Sequence, residues 1–467
     1  MKTSSALSTR SVPADPNALH SGVWPASAKR VDGVLTIGGV SVADLVGEYG
    51  TPLYVVDSDE VIQRASALQR AVSAASERHG VKGSVYYASK SFTSGHMVSW
   101  IAGAGLGFDV ATGGELAIAL AGGANPTHVE FQGNNKSVDE IAQAISAGVG
   151  CIVIDAPIEA HRIAEVAARN DVVQNVMVRV NTGVHAETHE YLATAREDQK
   201  FGLSPEEAKA VVDFIRSSSH LRFGGLHSHI GSQIFSTDGF IEAATRMVTL
   251  YADVVEPEER LTLNLGGGFG IAYTEDDHPP VVENVIDAII DHVAQGAARR
   301  GVPMPNIAFE PGRIISGPAG VTLYTVGVTK PVTVHASDGS VAPRLYVSVD
   351  GGMSDNARPA LYKANYSTRI ASRESSAPAT LVRVVGKHCE SGDIVVDADY
   401  LPDDVSPGDV VAVGATGAYC YSLSSNYNVV GRPPVVAVSK GGVTLMVAGE
   451  TLDDVLARDR GLSRGQG

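Results

Sequence analysis

What most constrains this chain is a rhythm. Between Ser84 and Glu310, short apolar runs rich in β-branched residues alternate with longer amphipathic stretches. The runs are Ser84–Lys90, Gly107–Val110, His128–Gln132, Cys151–Asp155, Asn175–Asn181, Phe223–His229, Leu261–Leu265 and Asn306–Glu310. Each reads as a short buried strand, and helical patterns at 137–147, 157–168, 204–218 and 281–300 fall between them. Strand and helix repeated in this way predict a (β/α)8 TIM barrel, with a doubly wound open sheet as the alternative.

After Glu310 the rhythm stops. Runs at 321–328, 344–349, 381–387, 393–397, 409–415 and 434–447 are separated by Gly, Pro and Asp turns with little helix, which predicts a C-terminal β-sandwich or β-barrel domain. The organisation expected has four parts. Residues 1–30, rich in Ser, Ala and Pro, form a flexible arm whose Trp24 docks somewhere, and 31–50 is a strand segment packing with the β domain. Residues 51–312 are the barrel, entered through a strand at Leu53–Asp57, and 313–467 are the β domain.

Charge and cysteine content narrow the partners. Among 467 residues, 52 Asp and Glu face 36 Lys and Arg without a basic run, so nucleic acid and anionic membrane surfaces are disfavoured. An anionic ligand must then be held by a few local cations or backbone N–H groups. Three cysteines, Cys151, Cys389 and Cys420, are too few for a disulfide framework and lack zinc-ligand spacing, which fits a reducing, cytoplasmic setting. No apolar stretch has the length of a membrane span, and Met1–Asn17 lacks the apolar centre of a signal peptide.

In a barrel, chemistry gathers at the C-terminal strand ends. Those ends carry Lys90, Asp109, Asp155, Asn181, His229, Gly266–Gly268 and the run Glu310-Pro311-Gly312-Arg313. Strand alternation points Lys90 inward with Tyr86 and Ala88; it is either a strand-end lysine reaching solvent or a nucleophile toward carbonyls. The glycine triplet is a tight turn or, paired with Gly312 at the next strand end, a phosphate cradle. His227 and His229 share a strand face, but further ligands are scattered, so a ring stacked on a flat cofactor or a packed histidine is favoured over a metal. Ser232 bonds an anion or caps the following segment. Glu310, buried beside Pro311, needs a partner: Arg313, or a ring nitrogen whose proton it maintains. Cys389, Arg344, Arg358, Tyr362 and Tyr419 stand near turn signals, where each alone reads as a packing or surface residue.

Taken in order, Tyr87-Ala88-Ser89-Lys90, Thr188-His189-Glu190-Tyr191 to Lys200-Phe201-Gly202-Leu203, His229-Ile230-Gly231-Ser232, Gly266-Gly267-Gly268, Glu310-Pro311-Gly312-Arg313 and Cys389-Glu390-Ser391-Gly392-Asp393 resemble the fold type III, alanine-racemase-like decarboxylases that use pyridoxal 5'-phosphate (PLP). Within them the likeness is greatest to the diaminopimelate decarboxylases and runs from about residue 30 to 450. The resemblance implies that Lys90 carries PLP as a Schiff base and that His229 stacks on the ring. It gives Ser232, Gly268 and Gly312 the phosphate, and sets Glu310, beside Pro311, at the ring nitrogen. It assigns substrate contacts to Arg313, Arg358, Tyr362 and Glu390, contact with both cofactor and substrate to Tyr419, and proton donation to Cys389. It also implies a homodimer whose partner chain supplies the Cys389-Glu390 segment.

The implied reaction is decarboxylation of meso-2,6-diaminopimelate to L-lysine, the last step of lysine biosynthesis. An amino acid with a carboxylate and an ammonium at its unreacting end suits two arginines and a glutamate. Decarboxylation of ornithine or arginine is the alternative enzyme reading, disfavoured by Arg358 to Tyr362 and Cys389 to Ser391. A racemase lacks the Cys-Glu segment, and a binding relative without catalysis is disfavoured by retention of both Lys90 and Cys389.

Overall fold

The computed structural model describes residues 10–184, 200–335 and 341–462. The chain divides into two compact units, one formed by 62–270 with 279–315 and the other by 1–61, 271–278 and 316–467.

The first unit is a closed barrel of parallel strands. In chain order they are β1 (Gly83–Ala88), β2 (Gly107–Val110), β3 (Val129–Phe131), β4 (Cys151–Ile154), β5 (Gln174–Arg179), β6 (Leu221–His227), β7 (Thr262–Asn264) and β8 (Asn306–Phe309). β8 pairs with β1 through Ile307 opposite Gly83, which closes the ring. Local sequence sets the helices between them. Ser137 with Glu140, and Ser204 with Glu207, form reciprocal capping boxes at the starts of Val138–Ala147 and Pro205–Ser217. Gly148 and Gly301 end their helices in the left-handed conformation that glycine adopts without strain.

The second unit is mainly sheet. Seven strands run in the order Ile394–Pro402, Ala379–Val385, Val341–Val349, Gly320–His335, Leu53–Asp57, Val435–Ser439 and Gly442–Val447. Val410–Val413 pairs with both Gly320–His335 and Thr368–Ile370. A small antiparallel sheet, Lys29–Val31, Val34–Ile37 and Val40–Ser41, packs Leu35 and Ile37 into one apolar core with Val55, Leu323, Ala412 and Val436. No helix among the described residues is long and apolar enough to cross a membrane.

Two expectations are corrected here. Leu53–Asp57 does not lead into the barrel; it is an inner strand of the other unit, antiparallel to Gly320–Leu323 and parallel to Val435–Val438. All five residues are buried, so both faces of this strand are covered. From Arg10 onward the N-terminal segment is also packed rather than loose. Arg10 pairs with Asp399 at 2.9 Å and donates to the Tyr366 carbonyl, and Trp24 lies in the core.

Leu323 is fully buried in that core. Leu323→Ala is expected to cost about 2–5 kcal/mol, read as a lower denaturation midpoint at unchanged slope.

Candidate active site

The barrel gathers Lys90, Asp109, His229, Ser232, the glycine triplet and Glu310–Arg313 at the C-terminal ends of its strands. Glu310, just past β8, is buried and receives three donors. Gln132 Nε2 and Asn264 Nδ2 reach its Oε1, the second at 2.8 Å, and His227 Nε2 meets Oε2 at 3.0 Å. Burial alone would raise this acid, but its interaction and hydrogen bond with His227, together with the Lys90 ammonium, hold it down at about 2. Arg313, the partner considered from sequence, instead donates to Ser232 Oγ at 2.6 Å. Ser232 therefore does not cap the next helix; Ser236 does.

The glycine triplet is dictated by crowding. A Cβ on Gly267 would lie 2.1 Å from the Glu310 carbonyl oxygen, and one on Gly268, at φ +109°, would lie 2.5 Å from that of Gly231. The Gly267 N–H donates to His229 Nδ1 at 3.2 Å. Burial first, then Lys90 and Arg179, push the His229 imidazole down to about 3, so the ring is neutral and carries its proton on Nε2. Gly312 packs against Ala88 and Ser91, 3.0 Å from the position of an added Cβ.

Lys90 differs from its expected placement. β1 ends at Ala88, and Lys90 sits exposed on the single turn Ser89–Ser91, closed by Ser91 Oγ on the Ala88 carbonyl at 2.9 Å. Strand alternation therefore does not aim it. Its ammonium nevertheless acts on Asp109, Glu115, His229 and Glu310, which puts its charge at the barrel mouth. Asp109 is buried on β2, where burial and then the Glu310 charge raise its pKa.

The remaining candidates belong to the second unit. Arg358 is buried; its guanidinium donates to the Tyr366 hydroxyl and lies 4.6 Å over the Tyr273 ring. Tyr362 is exposed on the same turn of helix, Arg358–Tyr362. Tyr419 has φ +64°, a left-handed conformation unusual for an aromatic residue. Cys389 is a free, exposed thiol, and Glu390 beside it accepts from the Gly392 N–H at 3.2 Å. The loop is shaped by buried Asp393, whose carboxylate accepts the N–H groups of Met353 and His388. Arg344 is buried within Val341–Val349.

Sequence reading missed Gln132 and Asn264. Gln132 ends the run containing β3, the same signal that marked the other candidates, and Asn264 hides inside an apolar run before the glycines. His227 proves to be a partner of Glu310, and among the described residues no group of three or more His, Cys, Asp and Glu could hold a metal. Thr188–Tyr191 lie outside the described residues. At the end of that motif, Gly202 donates to Asp155 Oδ1 at 3.1 Å and Phe201 lies under Arg179.

Residues 59–317 match the family model described as pyridoxal-dependent decarboxylase, pyridoxal binding domain. Over 448 residues the chain is 48% identical to the diaminopimelate decarboxylase of Mycobacterium tuberculosis, covering 94% of this chain and 98% of that one. The chain belongs to the diaminopimelate decarboxylases. The diaminopimelate decarboxylase of Bacillus subtilis is 41% identical over 437 residues, 93% of this chain and 97% of that one. A crystal structure of diaminopimelate decarboxylase from M. jannaschii in co-complex with L-lysine superimposes with a TM-score of 0.86 at 32% identity, covering 93% of this chain and 98% of that one.

The cofactor of diaminopimelate decarboxylases is PLP, and the barrel mouth fits it. A pyridine ring needs an anion for its nitrogen and a flat neighbour; Glu310 is ionised at the floor and His229 is a neutral ring. A phosphate needs bare backbone to approach, which Gly266–Gly268 offer, with the Gly266 and Gly267 N–H groups already given to Asn264 Oδ1 and His229 Nδ1.

These two groups also contribute to the acid stability of the apoprotein. Unfolded, the His229 imidazole titrates at the ordinary histidine value of 6.5; folded, it falls to about 3, so the unfolded chain binds more protons between those values. The stability it contributes is complete above pH 6.5 and is lost as pH falls toward 3. Glu310, lowered from 4.5 to about 2, adds a loss of the same sign at lower pH. Relative to the parent, His229→Asn is expected to remove a loss of stability of about 1.4 kcal/mol per pH unit below pH 6.5, read from denaturation midpoints of the two proteins at pH 7 and pH 5.

Proposed function

We infer that this chain decarboxylates meso-2,6-diaminopimelate to L-lysine and carbon dioxide, the closing step of lysine biosynthesis. The observation that carries the reading is the ionised Glu310, fixed by three donors on the floor of a barrel mouth that also holds Lys90 and neutral His229. Identity to diaminopimelate decarboxylases along almost the whole chain supports the substrate.

Bound PLP supplies an electron sink for the bond that releases carbon dioxide. Lys90 would hold the cofactor through its amine. Glu310, beside Pro311, keeps a proton at the ring nitrogen, and His229 covers one face of the ring. Ser232, Gly268 and Gly312 bind the phosphate. Arg313 and Arg358 take the carboxylate of the unreacting end, Glu390 takes its ammonium, and Tyr362 and Tyr419 orient it. The Cys389 thiol delivers a proton to one face of the α-carbon.

Cys389 and Glu390 belong, in this reading, to the site of a second copy of the chain, in a cytoplasmic homodimer. Mixing inactive Lys90→Ala and Cys389→Ala chains then restores activity, because one hybrid site carries neither substitution. No restoration rejects the shared site.

The test of the reaction is lysine release from meso-diaminopimelate by the purified protein with PLP, beside ornithine and arginine. Lysine from diaminopimelate alone supports the assignment. Turnover of ornithine or arginine instead overturns the roles of Arg358 and Glu390, and no turnover of any substrate with PLP bound returns the chain to a binding role.

A further inference from the structure

Besides Asp109, the floor of the barrel mouth holds a second buried carboxyl group beside Glu310. Glu130 on β3 is 1% exposed and Glu310 is 6% exposed. One amide nitrogen joins them: Asn264 Nδ2 donates to Glu130 Oε2 at 2.7 Å and to Glu310 Oε1 at 2.8 Å. Two carboxyls on the same small donor, both out of water, do not ionise together. The donors decide which one keeps the charge. Glu310 receives Gln132, Asn264 and His227. Glu130 receives Asn264 with some help from the Tyr86 hydroxyl, and its Oε1 is buried without a hydrogen-bond partner. A carboxylate oxygen left that way is costly, whereas a neutral acid there loses much less.

Glu130 also lines a cavity of about 480 Å³ whose walls come mostly from the strand beginnings, with Arg222, Glu259, Arg260 and Tyr86 among them. The other titratable groups acting on Glu130 and its surroundings are Asp109, Cys151 and Glu310. Burial first, then the charges of Glu310 and Asp109, push Glu130 upward, in line with the geometry.

We propose that Glu130 is a positioning residue held as the neutral acid, so that Asn264 aims both carboxyls while Glu310 alone carries the negative charge. Its use rests on the reading of Glu310 as the partner of the cofactor ring. An ionised Glu130 would raise the proton affinity of Glu310 and make it compete with the ring nitrogen for the proton.

Infrared spectra of the folded apoprotein test the protonation directly. A carboxylic-acid C=O band present near neutral pH and lost in Glu130→Gln is the expected result; absence of any Glu130-dependent band overturns the proposal. Positioning is read by titrating apoprotein with PLP. Glu130→Leu, which removes one of the two carboxyl acceptors of Asn264 and leaves it Glu310 alone, is expected to weaken cofactor binding about tenfold. Glu130→Gln, a mimic of the protonated acid, is expected to rescue it and to leave the acidic limb of the pH profile in place. An acidic limb moved to lower pH in Glu130→Gln, or unchanged cofactor affinity in Glu130→Leu, also overturns the proposal. The infrared band is independent of catalysis, so failure of the Glu310 reading shows separately, in Glu310→Gln.

Discussion

Lys90→Ala is expected to lose lysine release by on the order of 10³-fold or more, equivalent to about 4 kcal/mol of barrier. Two losses combine. The amine that anchors the cofactor disappears, and so does the positive charge that acts on Asp109, Glu115, His229 and Glu310. The fold should survive, because Lys90 is an exposed residue of a single turn whose closing bonds come from Ser91 and Tyr87. Borohydride reduction of the holoenzyme should fix the cofactor to the peptide containing residue 90, and should fix none in the variant. Retention of roughly a tenth of the activity or more would remove Lys90 from its proposed role.

Glu310→Gln carries the second large effect, a fall in kcat of roughly 10²–10³-fold with KM little changed. A carboxylate here accepts from Gln132, Asn264 and His227 at once. A carboxamide has one acceptor oxygen, so its own NH2 must face one of those donors in a buried site. The anion that maintains the ring proton is also gone. The pH dependence of cofactor absorption should shift toward loss of the ring proton, and Glu310→Asp should fall between parent and Gln. A kcat loss below about fivefold would separate Glu310 from the chemistry.

The barrel was legible because its information is local. Each strand is a short buried run, and polar or glycine residues follow where the active end must be. Lys90 shows the limit of that reading: alternation extended through it assumes a strand, and one hydroxyl bond from Ser91 to the Ala88 carbonyl ends the strand first. Leu53–Asp57 shows another. Five buried residues in a row read the same in either unit, and their true neighbours begin at Gly320 and Val435, beyond any local window. Gln132, Asn264 and His227 converge on Glu310 from three strands, a coincidence that only closure of the barrel creates. Arg358, Tyr362, Tyr419, Cys389 and Glu390 carried no spacing signal of their own; resemblance singled them out.

The placement of Leu53–Asp57 bears on how the chain is made. This strand leaves the ribosome early, yet one of its neighbours starts at Gly320 and the other at Val435. At ~5–20 residues per second, roughly 15–50 s pass before the first of them exists. Meanwhile the residues of the barrel unit, ending at Ile315, are complete. A nascent chain therefore carries Leu-Tyr-Val-Val-Asp with both edges unpaired beside a barrel able to finish folding. Slow codons or a pause before residue 320 would lengthen that interval, and a chaperone that shields short apolar strands would find its binding segment at 53–57.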